Sequence, residues 1–237
     1  MKIEKIELFV IGPEDKHYTW SEDIPEVFQS NTILRIHTDT DIIGESAVWN
    51  ATYFEYDKYT AESLKHFLPI LIGKNPLDRD EILYEIRPRV FPMPPGAQAV
   101  IDNCLWDILG KYSNLPIYKL LGGRRNKIPS YASTVMYESI DEYLKVIEDM
   151  KNQGFSAVKF HTWCVPNKDL ELAKEARNAF PSMSFMLDAE NNYDLENSIY
   201  IAKELEKLDF TWFEAPLPDY DFNGYKKITN SVGIKII

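Results

Sequence analysis

Ser156-Ala157-Val158-Lys159-Phe160-His161 is followed at a steady interval by Met183-Ser184-Phe185-Met186-Leu187-Asp188, and then by Phe210-Thr211-Trp212-Phe213-Glu214-Ala215. Each stretch is short and largely apolar, and each carries an ionisable residue at or next to its end. Two similar stretches flank them, residues 131–136 before and 234–237 after, so the starts recur roughly every 24 to 27 residues, the length of one strand-plus-helix unit. The segments between have helical boundaries. Ser139-Ile140-Asp141-Glu142 reads as a capping box, with the serine hydroxyl and glutamate carboxylate each satisfying a free backbone N–H, and Gly154 ends that helix. Asn167 and Asp194 read as N-caps of the next two. Strand, crossover helix and parallel strand in repetition leave two architectures, an open doubly wound sheet or a closed barrel. The even spacing and the lack of a glycine-rich phosphate loop favour the barrel. Eight strands close such a barrel, and the sequence carries about five.

Upstream the rhythm differs. Residues 2–10, 31–38 and 42–49 have strand-like content, with Asp39-Thr40-Asp41 as turn material, which predicts an antiparallel meander. The polar and aromatic segment 12–30 between the first two is too long for a tight connection. Helices are expected over residues 59–72 and 79–90, and a proline-rich break follows at Phe91-Pro92-Met93-Pro94-Pro95-Gly96. From Ala97, the residues Val100, Ile101, Cys104, Leu105, Ile108 and Leu109 keep i, i+3, i+4, i+7 spacing, which predicts a core helix. Residues 115–121 add a short helical turn that Gly122-Gly123 closes. The expected organisation is an α+β domain over residues 1–128, then the first half of an α/β, TIM-like barrel over 129–237, present to about the fifth strand.

Composition limits the function. With 45% hydrophobic and 27% charged residues among 237, the chain has ordinary globular content. A net charge of −11 without any basic run argues against nucleic acid as a partner. No apolar stretch approaches the ~20 residues of a membrane span, and the alternating N-terminus Met1-Lys2-Ile3-Glu4-Lys5-Ile6-Glu7-Leu8 reads as a strand rather than a signal peptide. Two cysteines in unrelated segments suggest no disulfide framework and a cytoplasmic setting.

The chemistry is expected at the carboxyl ends of the strands. Period-two alternation puts Lys159 and His161 on one face with Phe160 on the other. The next strand ends in Asp188 and the one after in Glu214, and parallel neighbours ~5 Å apart would let these carboxylates share one cation, of the hard, oxygen-liganded kind that suits Mg2+. A lone lysine or histidine at a strand end is commonly just solvated, and a lone acid is commonly a helix cap. Three consecutive strands presenting such groups at one end is not something packing demands. Trp212-Phe213 reads as core, while Trp163 and Cys164 could line a pocket.

The run from Ala99 through Trp106-Asp107-Ile108-Leu109-Gly110-Lys111 to Leu115-Pro116-Ile117-Tyr118-Lys119-Leu120-Leu121-Gly122-Gly123 resembles the last capping-domain helix of the mandelate racemase and muconate lactonizing group of the enolase superfamily. The resemblance extends over essentially the whole chain. It implies that Asp188 and Glu214 are metal ligands for Mg2+ and that Lys159 is the first lysine of the Lys-x-Lys motif, with His161 in place of the second, both catalytic. Glu190 stands where an asparagine is usual and Asn191 one step later, and the two are assigned to substrate binding. The implied reaction is Mg2+-dependent removal of the proton α to a carboxylate. Dehydration of a sugar acid by a lyase is preferred, because the group includes many acid-sugar dehydratases. Racemisation, epimerisation or cycloisomerisation is the alternative, with a small-molecule carboxylate as partner and a homo-oligomer as assembly. Positive charge near the site is expected to lower the proton affinity of Lys159 or His161. The resemblance also places a third metal ligand and opposite-face groups beyond Ile237, so a second expectation is a non-catalytic fragment with an unpaired edge strand. The segments 12–30 and 50–58 are expected to close over the barrel mouth.

Overall fold

Alternating side chains in the first part of the chain build a three-stranded antiparallel sheet in the computed structural model, which describes residues 1–12, 28–52, 58–90 and 95–237. The strands β1 (Ile3–Ile11), β2 (Phe28–Thr38) and β3 (Ile43–Thr52) lie in that order. Ile6 pairs with Ile36 and Leu8 with Leu34. The second hairpin runs further than expected: Phe28 pairs with Thr52 and Ser30 with Asn50, so the ends of both anticipated loops are strand. The remainder of those loops, residues 13–27 and 53–57, lies outside the described residues, as does most of the proline-rich break.

One helix was expected over 59–72, and two are found, α1 (Tyr59–Lys65) and α2 (Leu68–Leu71). Pro69 explains the break, since inside a continuous helix its ring would meet the carbonyl four residues back, whereas in the first turn of a new helix it is accommodated. After α3 (Arg79–Val90) comes α4 (Pro95–Ser113), which buries Ala97, Val100, Ile101, Cys104, Leu105 and Ile108 against Leu34 and Ile36 of the sheet and Leu64, Phe67, Ile82 and Ile86 of the other helices. The charged members of the motif on α4 act structurally. Asp107 accepts the Glu45 backbone N–H (2.8 Å), and Lys111 donates to both Asp107 (2.7 Å) and the Ile43 carbonyl (2.7 Å), which docks the helix on β3. Arg79 grips Asp102 through two nitrogens (2.5 and 2.9 Å) while its guanidinium lies 4.9 Å from the Trp106 ring centre. The short α5 (Ile117–Leu120) then ends at Gly122, whose φ of +86° is the left-handed value that favours glycine.

The strands β4 (Ala132–Ser133), β5 (Ala157–His161), β6 (Ser184–Asp188), β7 (Trp212–Glu214) and β8 (Lys235–Ile236) form one parallel sheet in sequential order. Four helices connect them: α6 (Ile140–Asn152), α7 (Pro166–Ala179), α8 (Leu195–Lys207) and α9 (Phe222–Thr229). β4 is shorter than the expected 131–136, because ladder pairing with β5 ends at Ser133 and one further bond, Thr134 N–H to the Lys159 carbonyl (2.9 Å), closes it. One face of the sheet meets the helices through Val158, Phe160, Phe185, Leu187 and Phe213, and the Phe160 and Phe185 rings stack at 5.3 Å. Trp163, expected to line a pocket, is buried in this same core.

The caps depart from expectation in detail. Ser139 does cap α6, accepting from Glu142 N–H (3.3 Å), but Glu142 reaches back to the Glu138 N–H (3.1 Å) rather than to that of Ser139. Asp194 caps α8 through Asn197 N–H (2.8 Å). Asn167 is not a cap. Pro166, with its preset φ and missing N–H, opens α7 two residues earlier, and the cap position falls to Val165. Chain contacts divide into two compact units, one holding the described residues up to Lys127 and one Ile128–Ile237. Among the described residues no helix is long and apolar enough to cross a membrane, and both cysteines are free.

Candidate active site

Strand register decides which side chains meet. His161 pairs with Asp188 and Asp188 with Glu214, so three ionisable groups form one row across the carboxyl ends of β5, β6 and β7. The row beneath is Lys159, Met186 and Trp212, on the same face by alternation. Lys159 rises into the upper row: its Nζ lies 2.6 Å from Asp188 Oδ2 and 3.1 Å from Glu214 Oε1. His161 Nε2 lies 3.3 Å from the same Asp188 oxygen and 3.1 Å from Glu190 Oε1. The result is a chain of alternating charge, Glu214, Lys159, Asp188, His161, Glu190. Lys159, His161 and Asp188 are buried, and the side chains of Glu214 and Glu190 are 28% and 30% exposed.

The proton affinities run opposite to the sequence expectation. Burial works to lower the Lys159 pKa, but hydrogen bonds to Asp188 and Glu214 outweigh it and hold the ammonium above the ordinary lysine value. Burial likewise opposes protonation of His161, yet Asp188 and Glu190 raise it to about 9. Asp188 is held below the usual carboxylate range, since its bonds from His161 and Lys159 overcome burial. Three carboxylates around two cations account for all three directions.

Thr134, Tyr143, Trp212 and Ala215, outside the expected set, shape the site together with Glu190 and Asn191, which were expected at the substrate. His161 is fixed by β4 and α6: its N–H donates to Thr134 Oγ1 (3.0 Å), its Nδ1 to the Thr134 carbonyl (2.5 Å), and its carbonyl accepts from the Tyr143 hydroxyl (2.6 Å). Trp212, read as core from sequence, lies on the site face; its Nε1 donates to Glu214 Oε2 (3.0 Å), and its ring meets Tyr131 edge-on at 5.4 Å. Glu190, Asn191 and Ala215 have φ of +49°, +65° and +41°, an uncommon choice for residues with side chains. Their backbones interlock the strand ends, Asn191 N–H donating to Ala215 O (2.7 Å) and Ala215 N–H to Ile237 O (2.9 Å). In the amide orientation that satisfies its neighbours, Asn191 Nδ2 donates to Leu217 O (2.7 Å) and Asp219 Oδ1 (3.0 Å), tying two loops together. Cys164 is half-buried, with its thiol 3.3 Å from the Ala189 carbonyl.

The donors fit a divalent cation. One oxygen each from Asp188 and Glu214 already converges on a single nitrogen, and hard oxygen donors of this type match Mg2+. His161, Asp188 and Glu190 make an overlapping set, with ligand-capable atoms within 4.8 Å of one another.

Comparison with known proteins agrees with the geometry. The mandelate racemase / muconate lactonizing enzyme N-terminal domain matches residues 26–122, and the enolase C-terminal domain-like family matches residues 142–237. The chain therefore belongs to the mandelate racemase/muconate lactonizing group of the enolase superfamily, whose fold joins a capping domain to an α/β barrel. A putative member from Pseudovibrio sp. superimposes with a TM-score of 0.93 at 34% identity, over 99% of this chain and 64% of its own. The 3,6-anhydro-D-galactonate cycloisomerase of Zobellia galactanivorans does so with 0.82 at 30%, over 100% and 64%. L-talarate/galactarate dehydratase of Salmonella typhimurium is 27% identical over 70% of this chain and 44% of its own, and the enzyme of that name solved with Mg and L-glucarate shares the fold (TM-score 0.88, 21% identity, 99% and 63% coverage). The chain thus spans roughly a third to two thirds of the length of such relatives. Those with named activities are lyases and isomerases, and Mg2+ is the cofactor of this group.

Proposed function

We propose that the site removes the proton α to the carboxylate of a sugar acid and expels the oxygen on the adjacent carbon, the chemistry of an acid-sugar dehydratase. One observation carries the reading: Lys159 and His161 flank Asp188 on one face of the sheet, their nitrogens 2.6 and 3.3 Å from a single carboxylate oxygen. Asp188 and Glu214 would hold Mg2+, which when bound supplies positive charge to a substrate carboxylate and offsets the carboxylates that keep Lys159 protonated. Lys159 takes the C2 proton. The imidazolium of His161, paired with Glu190 at 3.1 Å, gives its Nε2 proton to the departing C3 oxygen, so the C3–O bond breaks as the C2–C3 double bond forms and water leaves. Tautomerisation of the enol gives a 2-keto-3-deoxy acid. Both groups rise from β5, so proton removal and oxygen departure share one side of the substrate.

A second reading follows from the 30% identity to the anhydrogalactonate cycloisomerase over the whole chain. In a 3,6-anhydro sugar acid the C3 oxygen is tethered through C6. The same two proton transfers would then open the ring without loss of water, making the enzyme an isomerase. Incubation of the chain and Mg2+ with aldonates, aldarates and a 3,6-anhydroaldonate, with product trapped as the 2-keto acid semicarbazone, tests both. Keto acid from an open-chain acid supports dehydration, keto acid from the anhydro acid alone supports ring opening, and none from any substrate contradicts both.

A further inference from the structure

We propose that Glu190 is the positioning residue for His161, a role that rests on the reaction proposed above. His161 is already held at its backbone and at one ring nitrogen. Thr134 holds its backbone N–H (3.0 Å) and its Nδ1 (2.5 Å), and Tyr143 holds its carbonyl (2.6 Å), which leaves Nε2 as the edge that faces the site. Two carboxylates meet that edge. Asp188 is the more distant, at 3.3 Å, and is engaged elsewhere: its Oδ2 takes Lys159 at 2.6 Å and its Oδ1 takes the Glu190 N–H at 3.0 Å. Glu190, at 3.1 Å, is the nearer partner and sets the direction of the Nε2–H bond.

The backbone is shaped to deliver this carboxylate. Glu190 and Asn191 are consecutive residues in the left-handed region, at +49° and +65°, a conformation that persists only where surrounding bonds impose it. Those bonds are present: Glu190 N–H on Asp188, Asn191 N–H on the Ala215 carbonyl, and the Asn191 amide on Leu217 and Asp219. A sharp turn built from both flanking strand ends thus folds the Glu190 side chain back over β5. His161 and Glu190 are also the positions where the chain departs from the pattern of the family it resembles, and the structure shows that they touch.

The test is Mg2+-dependent α-proton exchange in D2O by the complete chain, with gluconate, galactonate, mannonate and 3,6-anhydrogalactonate as probes. Glu190→Gln is expected to lower the maximal rate about 30-fold or more with KM within about threefold, as loss of an aligned acid–base group does, and Glu190→Asp to recover part of it. His161→Lys alone should be slow, and His161→Lys with Glu190→Asn should exceed it about tenfold, the non-additivity that contacting residues show. As a readout that needs no substrate, the His161 Cε1–H resonance should move in Glu190→Gln. Unchanged rate and resonance in Glu190→Gln overturn this inference alone. An unsubstituted chain that exchanges none of the acids overturns the reaction and this inference together.

Discussion

Trp212 shows how much a single residue can hold. Its indole N–H occupies Glu214 Oε2, leaving Oε1 turned toward Lys159, and Tyr131 meets the ring edge-on. Trp212→Phe keeps the ring and removes the donor, so Mn2+ binding, followed by the loss of the free-ion EPR signal, should weaken about 10- to 100-fold. An unchanged affinity would mean that Glu214 needs no such orientation. The alternation that pairs Lys159 with His161 in sequence also pairs Trp212 with Glu214, so this residue was legible; treating Trp212-Phe213 as one apolar stripe hid it. Phe213 alone enters the core. The Thr134 and Tyr143 contacts to His161 had no signal in the sequence, because they join segments whose proximity only the folded sheet creates.

Asp169 on α7 is a second case at this scale. It is 1% exposed and accepts the Tyr193 hydroxyl through Oδ2. Burial is the dominant cause that lifts its pKa from 3.8 to about 6. The folded state therefore binds this proton more tightly than the unfolded chain, and the stabilisation, complete below pH ~4, is lost as pH rises through ~6. The ionised carboxylate then costs on the order of 3 kcal/mol. Asp169→Asn keeps an acceptor for Tyr193 and cannot ionise. Urea unfolding should find it close to wild type at pH 4 and more stable at pH 8, and a difference independent of pH would contradict the argument.

Among the elements, α4 and its docking on β3 fix the first unit. A methyl group on Gly44 would stand 2.6 Å from both the Cys104 carbonyl and an Ile108 carbon, so the strand can lie against the helix only without a side chain there. Gly44→Ala should cost about 1 to 3 kcal/mol in chemical denaturation. Wild-type stability would show that the helix can withdraw without penalty. The period of α4, the turn at residues 39–41 and the Asp194 cap were all readable because each depends on neighbours a few residues away. Two of the three misplaced features have the opposite trait. The extra pairing of Phe28–Ser30 and the early end of the β4 ladder depend on a partner strand, and the shift of the α7 cap from Asn167 to Val165 depends on Pro166 winning a local competition.

At the scale of the whole molecule, the fold class and the gathering of Lys159, His161, Asp188 and Glu214 at the strand ends were visible because a repeat of strand and helix leaves few topologies, and each topology puts its strand ends in one place. The charge balance of the site was not visible. It depends on Glu190 swinging back over β5, which turned an expected excess of positive charge into three carboxylates around two cations. The chain is thus a member of its superfamily whose strands bring Lys159, His161, Asp188 and Glu214 together in one row and the row below it. We propose that this row labilises a carbon-bound proton beside a carboxylate. The most direct test is proton NMR of sugar acids in D2O with the complete chain and Mg2+. The C2–H signal of at least one acid should disappear by exchange or elimination, and both chelation of the metal and Asp188→Asn should abolish the loss. Retention of every C2–H signal across the panel would contradict it.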